Sequence, residues 1–244
     1  FIPTEQFLIV STAKQPHTNG NGGFELRPFR RVRILESFLT DRFHTAGALV
    51  SPTVFNDRLE LNYNEQQIEL LVDLTSRLTL RGGHKYVWGD ALTRAPLLAQ
   101  DFRQQQRGEM TTNAGTGGLT YRVSQRFSVY AEGEVGRSDH AYFRTSLRDY
   151  ERVRIRGSFQ PLNTFTLTSS YSYFNNDNPD PIGGYRFDSR NFSAGLVWVP
   201  KNSKNVRFLA EYARTTFTSD TRYVIPTDLA NTDRSFYRDN GNSG

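Results

Sequence analysis

The sequence has 244 residues, with 30 lysines and arginines against 25 aspartates and glutamates, a formal net charge of +5 and no cysteine. The lack of cysteine excludes disulfide scaffolds, thiolate metal sites and cysteine nucleophiles, and no apolar run approaches the roughly 18 residues of a transmembrane helix. Hydrophobic residues make up only 36% of the chain, yet aromatic residues reach 13%, which argues against a disordered chain.

The N-terminal part of the chain has the least regular pattern. We interpret residues 1–57 as an irregular segment or a set of early strands, because polarity alternates well only from Arg58 to Tyr63. The stretch from Glu65 to Leu80 contains helix-forming residues and could be a helix. Apolar side chains recur there at every second position, however, which favours a strand.

Long segments of alternating polarity follow, each close to the roughly 9–11 residues of a membrane-spanning β-strand. The eight segments are 67–75, 78–88, 112–123, 126–136, 150–160, 164–174, 190–199 and 205–217. With the less regular strands before residue 66, the sequence predicts roughly ten to twelve antiparallel strands.

Two of these segments form a predicted hairpin in which charged residues face one another. The antiparallel register pairs Glu134 with Arg152, Glu132 with Arg154, and Tyr130 with Arg156. An arginine on a lipid-facing surface costs about 2–4 kcal/mol at the bilayer midplane, so we expect this face to line an interior. Two interpretations stay open: a lattice of salt bridges that fills the interior, or a basic constriction that selects anionic solutes.

The predicted connections alternate between short and long. Turn-forming residues make short connections near residues 76, 125, 162 and 203. Long polar loops are predicted at 89–111, 137–149, 175–189 and 218–244. Short turns at one end and long loops at the other are typical of bacterial outer-membrane β-barrels. We also expect the polypeptide to continue beyond residue 244.

Aromatic residues concentrate towards both ends of the predicted strands. Two interfacial girdles of a membrane barrel would have this distribution. The predicted girdle residues are Tyr86, Trp88, Phe159, Tyr171, Tyr173 and Trp198. The alternative is that aromatic side chains simply favour strands.

No motif for catalysis, a metal or a cofactor stands out. The histidines are isolated rather than spaced as metal ligands; they are His17, His44, His84 and His140. No nucleophile elbow, P-loop or dinucleotide-binding motif occurs in its required strand-to-helix context. The arginines are too dispersed to form a nucleic-acid-binding face. We therefore expect no enzymatic activity, no cofactor and no nucleic-acid partner.

Two runs resemble the strands of large outer-membrane barrels of Gram-negative bacteria. They are residues 78–90, LTLRGGHKYVWGD, and residues 165–173, FTLTSSYSY. In style the chain is similar to porin-like barrels, including the sheath proteins of porin–cytochrome electron conduits. The resemblance implies a location in the bacterial outer membrane, contact with the lipid bilayer and a signal sequence in the precursor.

The predicted fold is an all-β, antiparallel, up-and-down transmembrane β-barrel or a part of one, and three functions stay open for it. The first is a porin-like channel for small solutes, among them anions, lined by the charged hairpin face. The second is a non-conducting scaffold that sheathes or docks a partner protein, such as an electron-transfer cytochrome, in its lumen or at its long loops. The third is a soluble β-protein used for binding, because a sandwich also buries one apolar face of each sheet.

Overall fold

The computed structural model describes residues 10–51, 53–96, 103–139, 146–179, 184–201, 205–225 and 228–243. The strands in these ranges are β1 (Val10–Lys14), β2 (His17–Phe29), β3 (Val32–Ser51), β4 (Thr53–Asp73), β5 (Leu78–Pro96), β6 (Arg103–Ser124), β7 (Phe127–Ser138), β8 (Asp149–Leu162), β9 (Phe165–Asn178), β10 (Tyr185–Trp198), β11 (Phe208–Ile225) and β12 (Asp228–Ser243). Within the same ranges, no helix is long and apolar enough to cross a membrane.

All twelve strands belong to one antiparallel sheet, in which each strand from β3 to β11 pairs with the next along the chain. β1 and β2 lie one after the other along the same edge of β3, so the sheet has eleven positions. Among the described residues, no pairing joins β12 to β1 or β2. The predicted antiparallel, up-and-down fold is therefore confirmed, as a sheet that is not closed into a barrel.

The strands extend further than the alternating pattern predicts. β5 continues to Pro96 and β6 begins at Arg103, so most of the predicted loop 89–111 is strand. Within the described ranges, strand ends also occupy nine residues of the predicted loop 175–189, but only three of the predicted loop 137–149. A ladder of backbone hydrogen bonds needs no apolar face. Pairing therefore continues where side chains are polar on both sides and the sequence pattern disappears.

The C-terminal range 218–244 also differs from its prediction as a long loop. β11 runs to Ile225, and β12 pairs with it from Asp228 to Ser243. The many aspartate and asparagine residues of this range are typical of loops, which hid the strand. Its neighbour β11 supplies the hydrogen-bonding partner that the composition does not reveal.

Strand register divides the side chains between two faces of the sheet. Glu132, Glu134 and Tyr150 share one face. On that face a cavity of about 630 Å³ is lined by residues from β2 through to β8, among them His17 and Tyr63. Strands as far apart as β2 and β8 can line one cavity only if the sheet curls around it. We call this side the concave face and the opposite side the convex face.

The convex face carries many exposed apolar side chains, whereas its charged residues, such as Arg42, Asp90 and Arg190, lie mainly towards the long-loop end. Ile68 on β4 is 49% exposed, Ile155 on β8 is 41% exposed and Phe192 on β10 is 43% exposed. Other exposed apolar side chains of this face are Leu70, Leu80, Phe159, Leu167, Trp198 and Tyr212. A patch of this extent on a protein usually marks contact with another protein or with a membrane.

The six predicted girdle residues all lie on the convex face, on β5, β8, β9 and β10. Tyr86 stacks on Trp88, with ring centroids 5.3 Å apart. Close to the short turns, Trp198 stacks on Phe208, with ring centroids 5.2 Å apart. These two stacks lie towards opposite ends of the sheet.

The spacing of the aromatic residues along one strand gives the height of the apolar band. Phe165 pairs with Trp198 near the short turns, and Tyr173 lies eight residues further along β9. At about 3.4 Å per residue the two are ~27 Å apart along the strand. With the strand tilt of a barrel, about 35–45°, this corresponds to a band roughly 19–22 Å high, somewhat less than the ~25 Å apolar band of outer-membrane proteins.

Candidate functional site

The β7–β8 hairpin has the register that the sequence predicts. Its concave pairs are Glu134 with Arg152, Glu132 with Arg154, and Tyr130 with Arg156. The structure thus brings the six predicted interior residues onto one surface, opposite the girdle residues. We call the concave group of Arg81, Lys85, Glu132, Glu134 and Arg154 the charge lattice, for the contacts described next.

Glu132 is the centre of this lattice and binds cations from two other strands. The Arg154 Nη1 atom on β8 donates to Glu132 Oε1 at 2.9 Å. Arg81 on β5 and the neighbouring Tyr130 hydroxyl both donate to Glu132 Oε2. The Arg81 guanidinium also lies 5.1 Å from the centroid of the Tyr130 ring. The Glu132 carboxylate is therefore compensated by two arginines.

Glu134 bonds to a residue other than its register partner. Lys85 on β5 and the Tyr150 hydroxyl both donate to Glu134 Oε1, the latter at 2.7 Å. Arg152, which faces Glu134 across the ladder, places its guanidinium 5.3 Å from the centroid of the Phe174 ring. The strand register thus predicts the correct face for Glu134, but its hydrogen-bond donors are Lys85 and Tyr150 rather than Arg152.

Small residues on β6 allow these contacts between strands that are not adjacent. Gly118 lies between Arg81 and Glu132 in the ladder. A β-carbon at Gly118 would lie 2.8 Å from Arg81 Nε, so a larger residue would displace the arginine. Ala114 lies beside Lys85 in the same way. Both cations cross β6 to reach carboxylates on β7.

Arg156 has no such partner. Within the described part of the chain, its guanidinium makes no ion pair and no hydrogen bond, and its side chain is exposed. The contacts of Arg154 therefore fit the salt-bridge lattice, whereas Arg156 leaves positive charge uncompensated on the concave face.

A cavity of about 250 Å³ opens directly over the lattice. Its charged lining consists of three arginines and three glutamates: Arg81, Arg152, Arg154, Glu69, Glu132 and Glu134. Equal numbers of the two signs make this stretch of the concave face nearly neutral. It therefore provides a polar surface with little preference between cations and anions.

The 630 Å³ cavity lies further towards the predicted long loops and is largely apolar. Phe43, Leu61 and Val87 contribute to its wall. A hydrogen bond of 2.5 Å joins His17 and Asp41 at its side. β3 and β4 carry apolar residues on both faces, such as Ile34 and Leu35 on β3, so the concave face is not polar throughout.

An aromatic row continues the concave face from β9 to β12, and sequence reasoning missed it. Its ring centroids are 5.9 Å apart for Phe174 and Phe187, 6.0 Å for Phe187 and Phe217, and 5.6 Å for Phe217 and Tyr237. Each strand supplies one ring. The signal in the sequence is the presence of aromatic residues on the mostly polar side of each strand, and it gains meaning only once the register is known.

The site contains fixed charge rather than reactive groups. Among the residues that the structure describes, no group of three or more histidine, cysteine, aspartate or glutamate side chains could hold a metal ion. His140 lies outside these residues. The lattice carboxylates are held by cations and tyrosine hydroxyls, an arrangement suited to a permanent charged surface.

Comparisons with known proteins give no relative for this chain. No protein-family model matches it, and no curated protein matches its sequence. Its function therefore has to be argued from the two faces of the sheet.

Proposed function

We propose that this chain forms the wall, or part of the wall, of a bacterial outer-membrane β-barrel that conducts small solutes with a preference for anions. One observation carries the proposal: the charge lattice lies on the concave face, while most of the exposed large apolar side chains between the aromatic residues lie on the convex face. A β-sheet protein in water has the reverse arrangement, because its apolar face packs inwards.

The convex face supports the membrane location. The strands from β3 to β12 have 12 to 22 residues, which is enough to cross the hydrocarbon core when tilted. Ile68, Leu80 and Ile155 lie between the two aromatic layers, where lipid tails would contact them. Aromatic residues at both ends of the band match the girdles of membrane barrels.

The concave face supports the passage of solutes. The salt bridges of the lattice hold its charged side chains against the concave face. The face therefore stays polar, and these side chains do not extend into the space that a solute would cross. Arg156 adds a positive charge that no described carboxylate compensates. A surface with an excess of fixed positive charge raises the local concentration of anions.

A second function, a scaffold that encloses a partner protein, has one observation in its favour. The aromatic row of Phe174, Phe187, Phe217 and Tyr237 gives the concave face an apolar stripe. Aromatic side chains are enriched in protein interfaces. A barrel of this kind would co-purify with its partner and conduct poorly alone.

Conductance separates the two functions. We expect the protein, extracted from its native membrane in complete form, to conduct in planar bilayers and to give an anion-selective reversal potential in a KCl gradient. Arg156→Gln should lower that selectivity. Arg137→Gln, which removes the same charge from the convex face at the loop end, should leave it unchanged. A bilayer that stays silent would contradict the channel and favour the scaffold.

A further inference from the structure

The turn end of the concave face contains a second group of charges, distinct from the lattice. Arg31 lies in the turn before β3, Arg33 at the start of β3, Arg77 in the turn between β4 and β5, and Arg122 near the end of β6. Together they line a cavity of about 390 Å³. We call these four residues the turn-end arginine cluster.

The charge of this cluster is not balanced. Asp73 is the only acidic residue that lines the cavity. It accepts hydrogen bonds from Thr79 Oγ1 at 2.6 Å and from Arg33 Nη2 at 3.4 Å. The Thr79 hydroxyl and the guanidinium groups of Arg33 and Arg31 thus surround this carboxylate in the cavity. Four guanidinium groups thus face one ionised carboxylate, whereas the lattice cavity has equal numbers of both signs.

Several hydrogen-bond donors in this cavity are unused. The Nε of Arg33 is buried and has no hydrogen-bond partner. The guanidinium of Arg122 makes no ion pair or hydrogen bond with the described residues, although its backbone N–H donates to the Arg77 carbonyl at 2.8 Å. Thr120 adds a hydroxyl to the wall. Guanidinium donors without a protein partner around an open cavity form a surface that an anion with several acceptor oxygens can complement.

We propose that the turn-end arginine cluster binds a polyvalent oxyanion of the phosphate class. Guanidinium groups present paired N–H donors that match the oxygens of phosphate. The net positive charge favours a dianion over chloride, and the cavity has room for a phosphate that carries a small organic group.

Phosphate groups also occur on lipids, but the position of the cluster favours a soluble anion. Arg33, Asp73 and Arg122 have the strand register of the concave face, opposite the apolar band that would contact lipid. The inference rests on this geometry and does not need the chain to conduct. Absence of phosphate binding would therefore not contradict the proposed channel, and absence of conductance would not contradict the phosphate site.

Titration with inorganic phosphate tests the site in the full chain, purified in detergent at low ionic strength. We expect saturable binding by calorimetry, with sulfate competing and chloride competing weakly. Arg33→Gln combined with Arg122→Gln should weaken it by about tenfold or more. Arg126→Gln, at the adjacent turn outside the cavity, should change it less than about twofold.

Asp73→Asn should change the affinity for phosphate in the opposite direction to the arginine variants. It removes the one negative charge but keeps an oxygen that can accept from Thr79, so phosphate should bind more tightly. No saturable binding, or an equal loss in Arg126→Gln, would overturn the proposal. A third arm uses nanodiscs with and without phosphatidylglycerol. Competition by that lipid would overturn the assignment to a soluble anion.

Discussion

Arg154 and Arg156 are neighbours on the same face of β8, but only Arg154 contacts a carboxylate. Arg154 Nη1 lies 2.9 Å from Glu132 Oε1, and its side chain is 42% exposed. Because solvent screens a partly exposed ion pair, we expect each such contact to contribute modestly to stability. The effect of an arginine mutation on stability should therefore depend on whether that arginine contacts a carboxylate, and not on the total charge of β8.

Reversing the charge of Arg154 tests the lattice. Arg154→Glu places a carboxylate beside Glu132 and should lower the free energy of unfolding by about 1 kcal/mol, or the Tm by about 2–4 °C. Arg156→Glu changes the net charge equally but breaks no described ion pair. Thermal melting in detergent measures both variants. An equal loss in the two would mean that the lattice contacts contribute nothing specific.

Sequence reasoning reached the residues of the site but not all of their contacts. The pairing of Glu132 with Arg154 follows from hairpin register, because directly opposed residues meet. The contacts of Arg81 and Lys85 skip a strand and depend on the small side chain of Gly118 and its neighbours on β6. Such contacts depend on the curl of the sheet, which no local pattern encodes.

At the scale of a strand, β8 shows how strictly the two faces are separated. Its concave side carries Arg152, Arg154 and Arg156, and its convex side carries Val153 and Ile155. Side chains one residue apart thus meet different surroundings. The same substitution should have different effects on the two sides.

An arginine scan of this strand tests its orientation. Ile155→Arg places a charge in the middle of the apolar band and should cost about 2–4 kcal/mol on insertion into lipid. Ser158→Arg adds the same charge to the concave face and should cost less than about 1 kcal/mol. The yield of heat-modifiable, folded protein in liposomes measures both. If Ile155→Arg folds as well as Ser158→Arg, the convex face does not contact lipid.

The central part of each strand was predictable, whereas the strand ends were not. Between residues 67 and 217 the predicted segments coincide with β4 to β11, since apolar and polar residues alternate there. Beyond the apolar band the alternation fades while backbone pairing continues, as in β5 up to Pro96. β12 is the extreme case, because its loop-like composition is stabilised by pairing with β11.

The described part of the molecule is a single curled sheet, in which the last strand, β12, pairs with neither β1 nor β2. Exposed sheet edges are prone to pair with other strands. In the barrel that we propose, strand pairing at these two edges would close the sheet. The orientation of the sheet, with its apolar side outwards, is the claim on which this picture depends.

The two tryptophans of the chain allow a direct test of that claim. Trp88 and Trp198 both lie on the convex face, towards opposite ends of the sheet. In liposomes, Trp88→Phe and Trp198→Phe each leave one tryptophan whose fluorescence can be quenched by brominated lipids. We predict that both are quenched by lipid, most strongly by bromines near the headgroups, and are poorly accessible to acrylamide. Strong quenching by acrylamide without quenching by lipid would contradict the account.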